Sequence, residues 1–196
     1  YRYLAWKKIS DEENIYFDEI INNRLRGVSR MESLEIILEK ANKKYTNEEK
    51  LILASKKNEI YKESLKELTR KDVSIEVIET LDYLKEKGIK MAIGSSSRNT
   101  MLILSSIELL DYFDEIVDGN QISKSKPDPE VFVKACDKLK LLKEECIVVE
   151  DAVSGVLAAI NGGFKVCGIN DASKFEKTTY SINNLKDILK YIIWKR

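Results

Sequence analysis

Histidine is missing altogether from this chain of 196 residues. With it go every mechanism that runs on an imidazole base, the Ser-His-Asp triad included, and the common zinc ligand sets. Cysteine is scarce: Cys136, Cys146 and Cys167 make an odd set without a CxxC pair, which reads as small buried hydrophobes in a reducing compartment. No apolar run approaches the ~18 residues of a membrane span, and no signal-like order of charged, hydrophobic and small residues opens the chain. The expectation is a cytoplasmic protein with no membrane partner. Nor is one sign of charge in excess, since 33 Lys+Arg meet 33 Asp+Glu at a sequence pI near 6.7. That balance argues against a nucleic-acid binder and an acidic tail. What is present is 43% hydrophobic content, enough for a core in one domain or a small pair, with no repeats or low-complexity tracts. The chain opens on Tyr1, and YRYLAWKKI reads as the middle of a helix with no cap before it. A preceding segment is expected.

The pattern changes near residue 72. Before it, apolar residues recur at helical spacing: Met31, Leu34, Ile37, Leu38 and Ala41 form one stripe, and Leu51, Ala54, Tyr61, Leu65 and Leu68 another, interrupted by Asn58. Thr46 with Glu49 makes a capping box that opens the second helix. After residue 72, strands alternate with helices. Ser74 caps a helix through Ile78, Leu81 and Leu84 that stops at Gly88, and IKMAIGSSS is a buried strand running into a polar loop. A helix through Leu102, Ile103, Ile107 and Leu110 leads to a strand at EIVDG, and Asp128 with Pro129 opens the next helix. CIVVED is a strand, AVSGVLAAINGG a helix, FKVCGI a strand, and Leu185, Ile188, Leu189 and Ile192 mark a terminal helix. This order predicts an α/β fold, a Rossmann-like doubly wound parallel sheet core with a helical cap domain over residues 1–71 and the core over 72–196.

In such sheets ligands bind beyond the carboxyl ends of the strands. Three strand-end loops carry chemistry. Gly94-Ser95-Ser96-Ser97-Arg98-Asn99 offers small residues, hydroxyls and successive N–H groups to an anion, although a serine-rich loop can equally be a helix cap. Lys124-Ser125-Lys126-Pro127-Asp128-Pro129 fixes a lysine by two prolines just before a helix, where a merely solvated lysine competes evenly. Glu150-Asp151 places adjacent carboxylates after an apolar strand, suited to Mg2+ or, for a lone Asp, to capping the next helix. Phosphate donors, a lysine and an acidic pair on successive strand ends are what Mg2+-dependent phosphoryl transfer requires, because its catalysis is mostly electrostatic clamping and positioning.

With these residues in place the chain resembles the haloacid dehalogenase superfamily, in its β-phosphoglucomutase branch. The second motif corresponds to Ser95, the third to Lys126 in SKPDP, and the fourth to Glu150-Asp151 in VVEDAVSG. The mutase resemblance rests on Ala5-Trp6-Lys7, RLRGVSR from Arg24 to Arg30, SKKN from Ser55 to Asn58, and SSSRN from Ser95 to Asn99. It implies that Ser95 and Lys126 hold the transferring phosphate while Glu150 and Asp151 hold or orient Mg2+. Arg30, Ser96, Ser97, Arg98 and Asn99 would grip the other phosphate and its surroundings. Gly27 and Val28 would line the sugar, with Trp6 and Lys57 nearby on the cap. The implied reaction interconverts β-glucose 1-phosphate and glucose 6-phosphate through an aspartyl phosphate in a monomer whose partner is a small sugar phosphate. A sugar-phosphate phosphatase of the same fold and a non-catalytic phosphosugar-binding fragment are the alternatives.

The sequence departs from the family pattern in three places. The Asp-x-Asp strand that supplies the nucleophile and the acid/base is expected before Tyr1, and Asp118 in the look-alike FDEIVDG reads as a strand-end turn residue. Arg2 stands where the mutases carry a cap-hinge histidine, and an arginine binds anions or shields charge rather than shuttling protons. Ile75-Glu76 replaces a Pro-Gly.

Overall fold

The computed structural model describes residues 1–192; the last part of the expected core segment, 193–196, lies outside the described residues. Helix α1 (Arg2–Glu12) starts after Tyr1 with no side-chain cap, as its sequence implies. The short α2 (Glu19–Arg24) is capped by Asp18, whose carboxylate accepts from the Ile21 amide. Both α3 (Arg30–Leu38) and α4 (Asn47–Leu65) begin with a reciprocal capping box, Ser29 with Glu32 and Thr46 with Glu49, which satisfies two otherwise orphaned amides at each start. These four helices close around Trp6, Ile9, Phe17, Leu25, Leu34, Ile37 and Leu53. The expected stripes need correction at their edges. Ala41 and Leu68 fall beyond the helix ends, and Leu51 is 60% exposed because its side of α4 forms a cleft wall instead of core.

The remainder alternates as expected. In order come α5 (Ile75–Glu86), β1 (Ala92–Gly94), α6 (Thr100–Ser106), β2 (Glu115–Val117), α7 (Glu130–Leu139), β3 (Ile147–Glu150), α8 (Val153–Asn161), β4 (Lys165–Gly168) and β5 (Tyr180–Ser181). All strand pairs are parallel: β1 with β2, β3 with β4, and β4 with β5. Among the described residues no ladder joins β1 to β3, so the sheet stands in two pieces. Val117, Val131, Phe132, Val156, Phe164 and Val166 pack in the principal core of this half. Ser74 caps α5 through the Val77 amide. Helix α6 is shorter than its apolar pattern suggests, since Glu108 takes a left-handed φ of 57° and Leu110 falls in a separate 3-10 turn. Pro129 occupies the cap position of α7, so the helix starts one residue later than expected, while the Asp128 carboxylate accepts from the Glu130 amide at 2.9 Å. The terminal segment is a 3-10 stretch, Leu185–Lys190, in place of an α-helix.

Candidate active site

Strand β1 delivers Ser95 to the carboxyl edge of the sheet, where its amide still donates to the Val117 carbonyl at 2.9 Å. The Ser95 hydroxyl accepts from the Ser97 amide at 3.1 Å, and the Ser97 hydroxyl from the Asn99 amide at 3.2 Å, so the loop is self-braced. A second loop moulds it from outside. The Gly119 amide donates to the Ser97 carbonyl at 3.0 Å, and the Asn120 side chain to the Arg98 carbonyl at 3.1 Å. Asp118 is buried and accepts from the Asn120 amide at 2.9 Å, a strand-end turn residue. A Cβ on Gly119 would collide with the Ser96 carbonyl. The sequence carried a signal for this support, the DGN tripeptide at the end of a strand, but not its target.

Lys126 and Glu150 meet in a buried ion pair, with side chains 7% and 9% exposed. The ammonium also donates to the Gly94 carbonyl at 3.1 Å and lies 4.6 Å from the Phe132 ring centroid. The other Glu150 oxygen accepts from the Asp151 amide at 3.1 Å. Gly155 makes room for this carboxylate, since any Cβ there would overlap it. Lys126 thereby ties the end of β1 to the end of β3, across the gap between the two sheet pieces. Asp151 points outward and is exposed, 3.3 Å from Arg26, which also pairs with Asp171. The Ser154 hydroxyl donates to the Arg26 carbonyl at 2.9 Å, Glu32 accepts from Ser125, and the Asn99 amide group donates to Asn58 at 2.9 Å. These contacts hold the helical layer over the strand ends. Gly27, at φ 78°, sits against Ser154, where only a hydrogen fits.

Between the helical layer and the strand ends lies a cavity of about 1100 Å3. Trp6, Val28, Arg30, Lys57, Ser96, Ser97, Arg98 and Asn99 line it, joined by Arg2, noted in the sequence as an anion binder or charge shield, and by Tyr61, which the sequence had not placed there. Ser95, Lys126, Glu150, Asp151 and Gly27 are not among its lining residues; the Lys126 side chain is folded onto Glu150 instead. The lining is short of negative charge. Glu32 is engaged with Ser29 and Ser125, and Asp128 lies 3.9 Å from Lys124. Among the described residues Arg2, Arg30, Lys57 and Arg98 have no carboxylate within ion-pair distance. Burial and then the charges of Arg2 and Arg30 push the Lys57 ammonium down to about 7. It rests 4.3 Å from the Tyr61 ring centroid and 5.1 Å from that of Trp6. Burial and Arg98 likewise lower Arg30. A half-open cleft lined by mutually repelling cations suits a multivalent anion.

Lys57 carries a pH signature of its own. Its folded pKa lies below the ordinary 10.5, so between about pH 7 and 10.5 the unfolded chain binds more protons than the folded one, and stability rises with pH through that window. The rise should be missing in Lys57→Met. Urea midpoints of both proteins at pH 7 and pH 9.5 check this: parallel changes would mean that Lys57 titrates normally.

The acidic pair suits a magnesium ion in one respect. An exposed Asp151 beside a buried Glu150 resembles the one or two carboxylates that Mg2+ takes when ligand oxygens and water complete its shell. An all-protein cage is not offered, since among the described residues no three His, Cys, Asp or Glu side chains converge.

Comparisons with known proteins agree with this architecture. The family described as haloacid dehalogenase-like hydrolase matches residues 11–169. The chain is 40% identical over 171 residues, 86% of its length and 76% of the other, to a protein of Bacillus subtilis named β-phosphoglucomutase. It is 30% identical over 201 residues, covering 94% of this chain and 90% of the other, to a phosphorylated carbohydrates phosphatase of Thermotoga maritima. The crystal structure of a β-phosphoglucomutase from Clostridium difficile superposes with a TM-score of 0.91 at 32% identity, covering 97% of this chain and 87% of that one. Parallel strands interleaved with helices, a serine, lysine and acidic pair at their ends, and relatedness along most of the chain place this protein in the haloacid dehalogenase-like family, in its β-phosphoglucomutase-like branch.

Proposed function

We propose that the protein is a β-phosphoglucomutase-like isomerase, interconverting β-glucose 1-phosphate and glucose 6-phosphate by Mg2+-dependent phosphoryl transfer. The observation that carries this reading is the second anion clamp: Arg30, Ser97, Arg98 and Asn99 share one cavity, distinct from Lys126 and Glu150 at the strand ends. A hydrolase that removes a single phosphate has less need of it. Ser95 and Lys126 would hold the transferring phosphate, with Lys126 sharing its charge between that group and Glu150. Asp151, oriented beside Glu150, would hold Mg2+, which when bound supplies charge neutralisation to the phosphoryl group. Val28 would face the sugar, with Gly27 behind it against Ser154, and Trp6 and Lys57 would close over it from the cap, residues 1–71. In this reading the family's aspartate nucleophile arrives on a strand seated between β1 and β3. The sheet's division at that place supports the idea. A sugar-phosphate phosphatase is the second reading, favoured by the Thermotoga relative. Either enzyme would work as a cytoplasmic monomer. No helix among the described residues is long and apolar enough to cross a membrane.

Arg30→Ala separates the two readings. Charge-assisted hydrogen bonds are worth roughly 1.5–3 kcal/mol, so its loss should reduce turnover of the hexose phosphates about ten- to a hundredfold. Hydrolysis of a small aryl phosphate, which has no second phosphate to clamp, should change little. Equal losses on both substrates, measured on protein that carries the nucleophile strand, would argue for the phosphatase.

A further inference from the structure

We propose that Arg2 is a positioning residue of the anion cleft: it holds the turn between α2 and α3 in the shape that aims Arg30 inward. The proposal rests on the phosphosugar reading for its ligand, but its geometry is independent of it. One terminal nitrogen of the Arg2 guanidinium donates to the Leu25 carbonyl at 2.8 Å, lies 3.0 Å from the Ser33 hydroxyl, and approaches the Val28 carbonyl at 3.3 Å. Ser33 is fully buried, and its hydroxyl passes the contact on to the Ser29 carbonyl at 2.8 Å. Leu25, Val28 and Ser29 are therefore all referred to one side chain at the start of α1. This turn needs outside support. Its middle residue, Gly27, has φ 78°, and its own backbone bonds are the Leu25 and Arg26 amides to Asn22 and Asn23 at 3.0 and 3.3 Å.

Chemistry explains why arginine serves here. One nitrogen of the planar guanidinium meets the three acceptors while the rest of the group stays available to the cavity, whereas a lysine has a single nitrogen for both sides. Arg2 is largely removed from water, which lowers its pKa, and it also lines the cavity. Such a charge is kept only where acceptors compensate it; the Leu25 and Val28 carbonyls and the Ser33 hydroxyl do so on one side, and a bound anion would do so on the other. Arg30 begins α3 directly after the Ser29 cap. A turn that loosens at Leu25–Ser29 therefore moves the first turn of α3 and the Arg30 guanidinium with it.

The experiment compares Arg2→Met and Arg2→Lys with the parent by amide hydrogen exchange and by calorimetric binding of glucose 6-phosphate. In Arg2→Met, exchange at the Leu25, Arg26, Ser29 and Ser33 amides should quicken at least tenfold while amides of α7 stay unchanged, and affinity should fall at least tenfold. Arg2→Lys keeps the charge without the fork and should restore less than half of either loss, on a logarithmic scale. Unchanged exchange at the turn, or full rescue by lysine, would overturn the proposal. If Arg2→Met fails to fold, Arg2→Lys still decides, because parent-like exchange and affinity there refute the fork. A parent protein that exchanges as expected yet binds no glucose 6-phosphate would sink the phosphosugar reading while leaving the Arg2 clamp standing.

Discussion

Lys126→Met should lower the unfolding free energy by about 3–5 kcal/mol, the usual cost of leaving a buried charge without its partner. The orphaned group is Glu150, which shares the buried pair with Lys126 and is packed over Gly155. Coulomb energy alone does not set the size of the loss. Lys126 is also the side chain that reaches from β3's carboxylate to the Gly94 carbonyl of β1, so its removal unlinks two sheet pieces that no ladder joins among the described residues. The double variant Lys126→Met with Glu150→Leu should recover much of the loss, because apolar replacement of a whole buried pair is often close to neutral. Urea unfolding of the two single variants and the double variant forms a thermodynamic cycle. Losses below about 1 kcal/mol for the single variant would mean that water reaches Glu150 and that the pair is not the bridge described above.

Trp6→Ala should be of similar size, about 3–5 kcal/mol. Trp6 is 0% exposed at the centre of the four-helix cluster and is the largest fully buried side chain there. Its loss leaves a cavity within that cluster. The indole nitrogen has no hydrogen-bond partner among the described residues, so Trp6→Phe forfeits no bond and should cost clearly less than alanine. Lys57 loses one of its two aromatic faces in Trp6→Ala, which adds weaker ligand binding to the lost stability. Thermal and urea unfolding of both variants provide the measurement. Near-equal costs for phenylalanine and alanine would show that the energetics lie in the indole's polar end and not in its volume.

The parts of this fold that were legible in the sequence are those written in local patterns. Thr46 with Glu49 and Ser74 before Ile75 act through neighbours three residues away, and they cap as expected. The strand ends carrying Ser95 and Glu150 were readable because apolar runs stop abruptly at polar residues, and Lys126 because two prolines follow it before a helix. Tertiary arrangements were not. The sequence offered Glu150 beside Asp151 as equivalent carboxylates, but burial separates them: one pairs with Lys126 and the other faces Arg26. Leu51 looked like core because period alone cannot tell a cleft wall from an interior face. Helix α6 ended early at a left-handed Glu108, a conformation that no glycine announced. Strand β5, Tyr180–Ser181, is too short to show alternation and exists through its pairing with β4. Arg2 was noticed only as a departure, and its role as a turn clamp depends on carbonyls 23 and 26 residues away.

The loop after β2 has a bearing on how ligand choice in this protein could be redesigned. Because the Ser96 carbonyl stands where a Gly119 side chain would be, and Asn120 grips the Arg98 carbonyl, the backbone that carries the core-side wall of the cleft is braced from behind. A substitution there displaces the loop as a unit, so it is a poor place to tune selectivity by small steps. Across the cleft, Val28, Met31, Leu51 and Tyr61 present side chains from the cap, and Met31 and Leu51 are exposed enough to change size at little cost to packing. A library aimed at new phosphorylated ligands would therefore hold the serine loop constant and vary the cap face, giving a scaffold with one invariant jaw and one adjustable one.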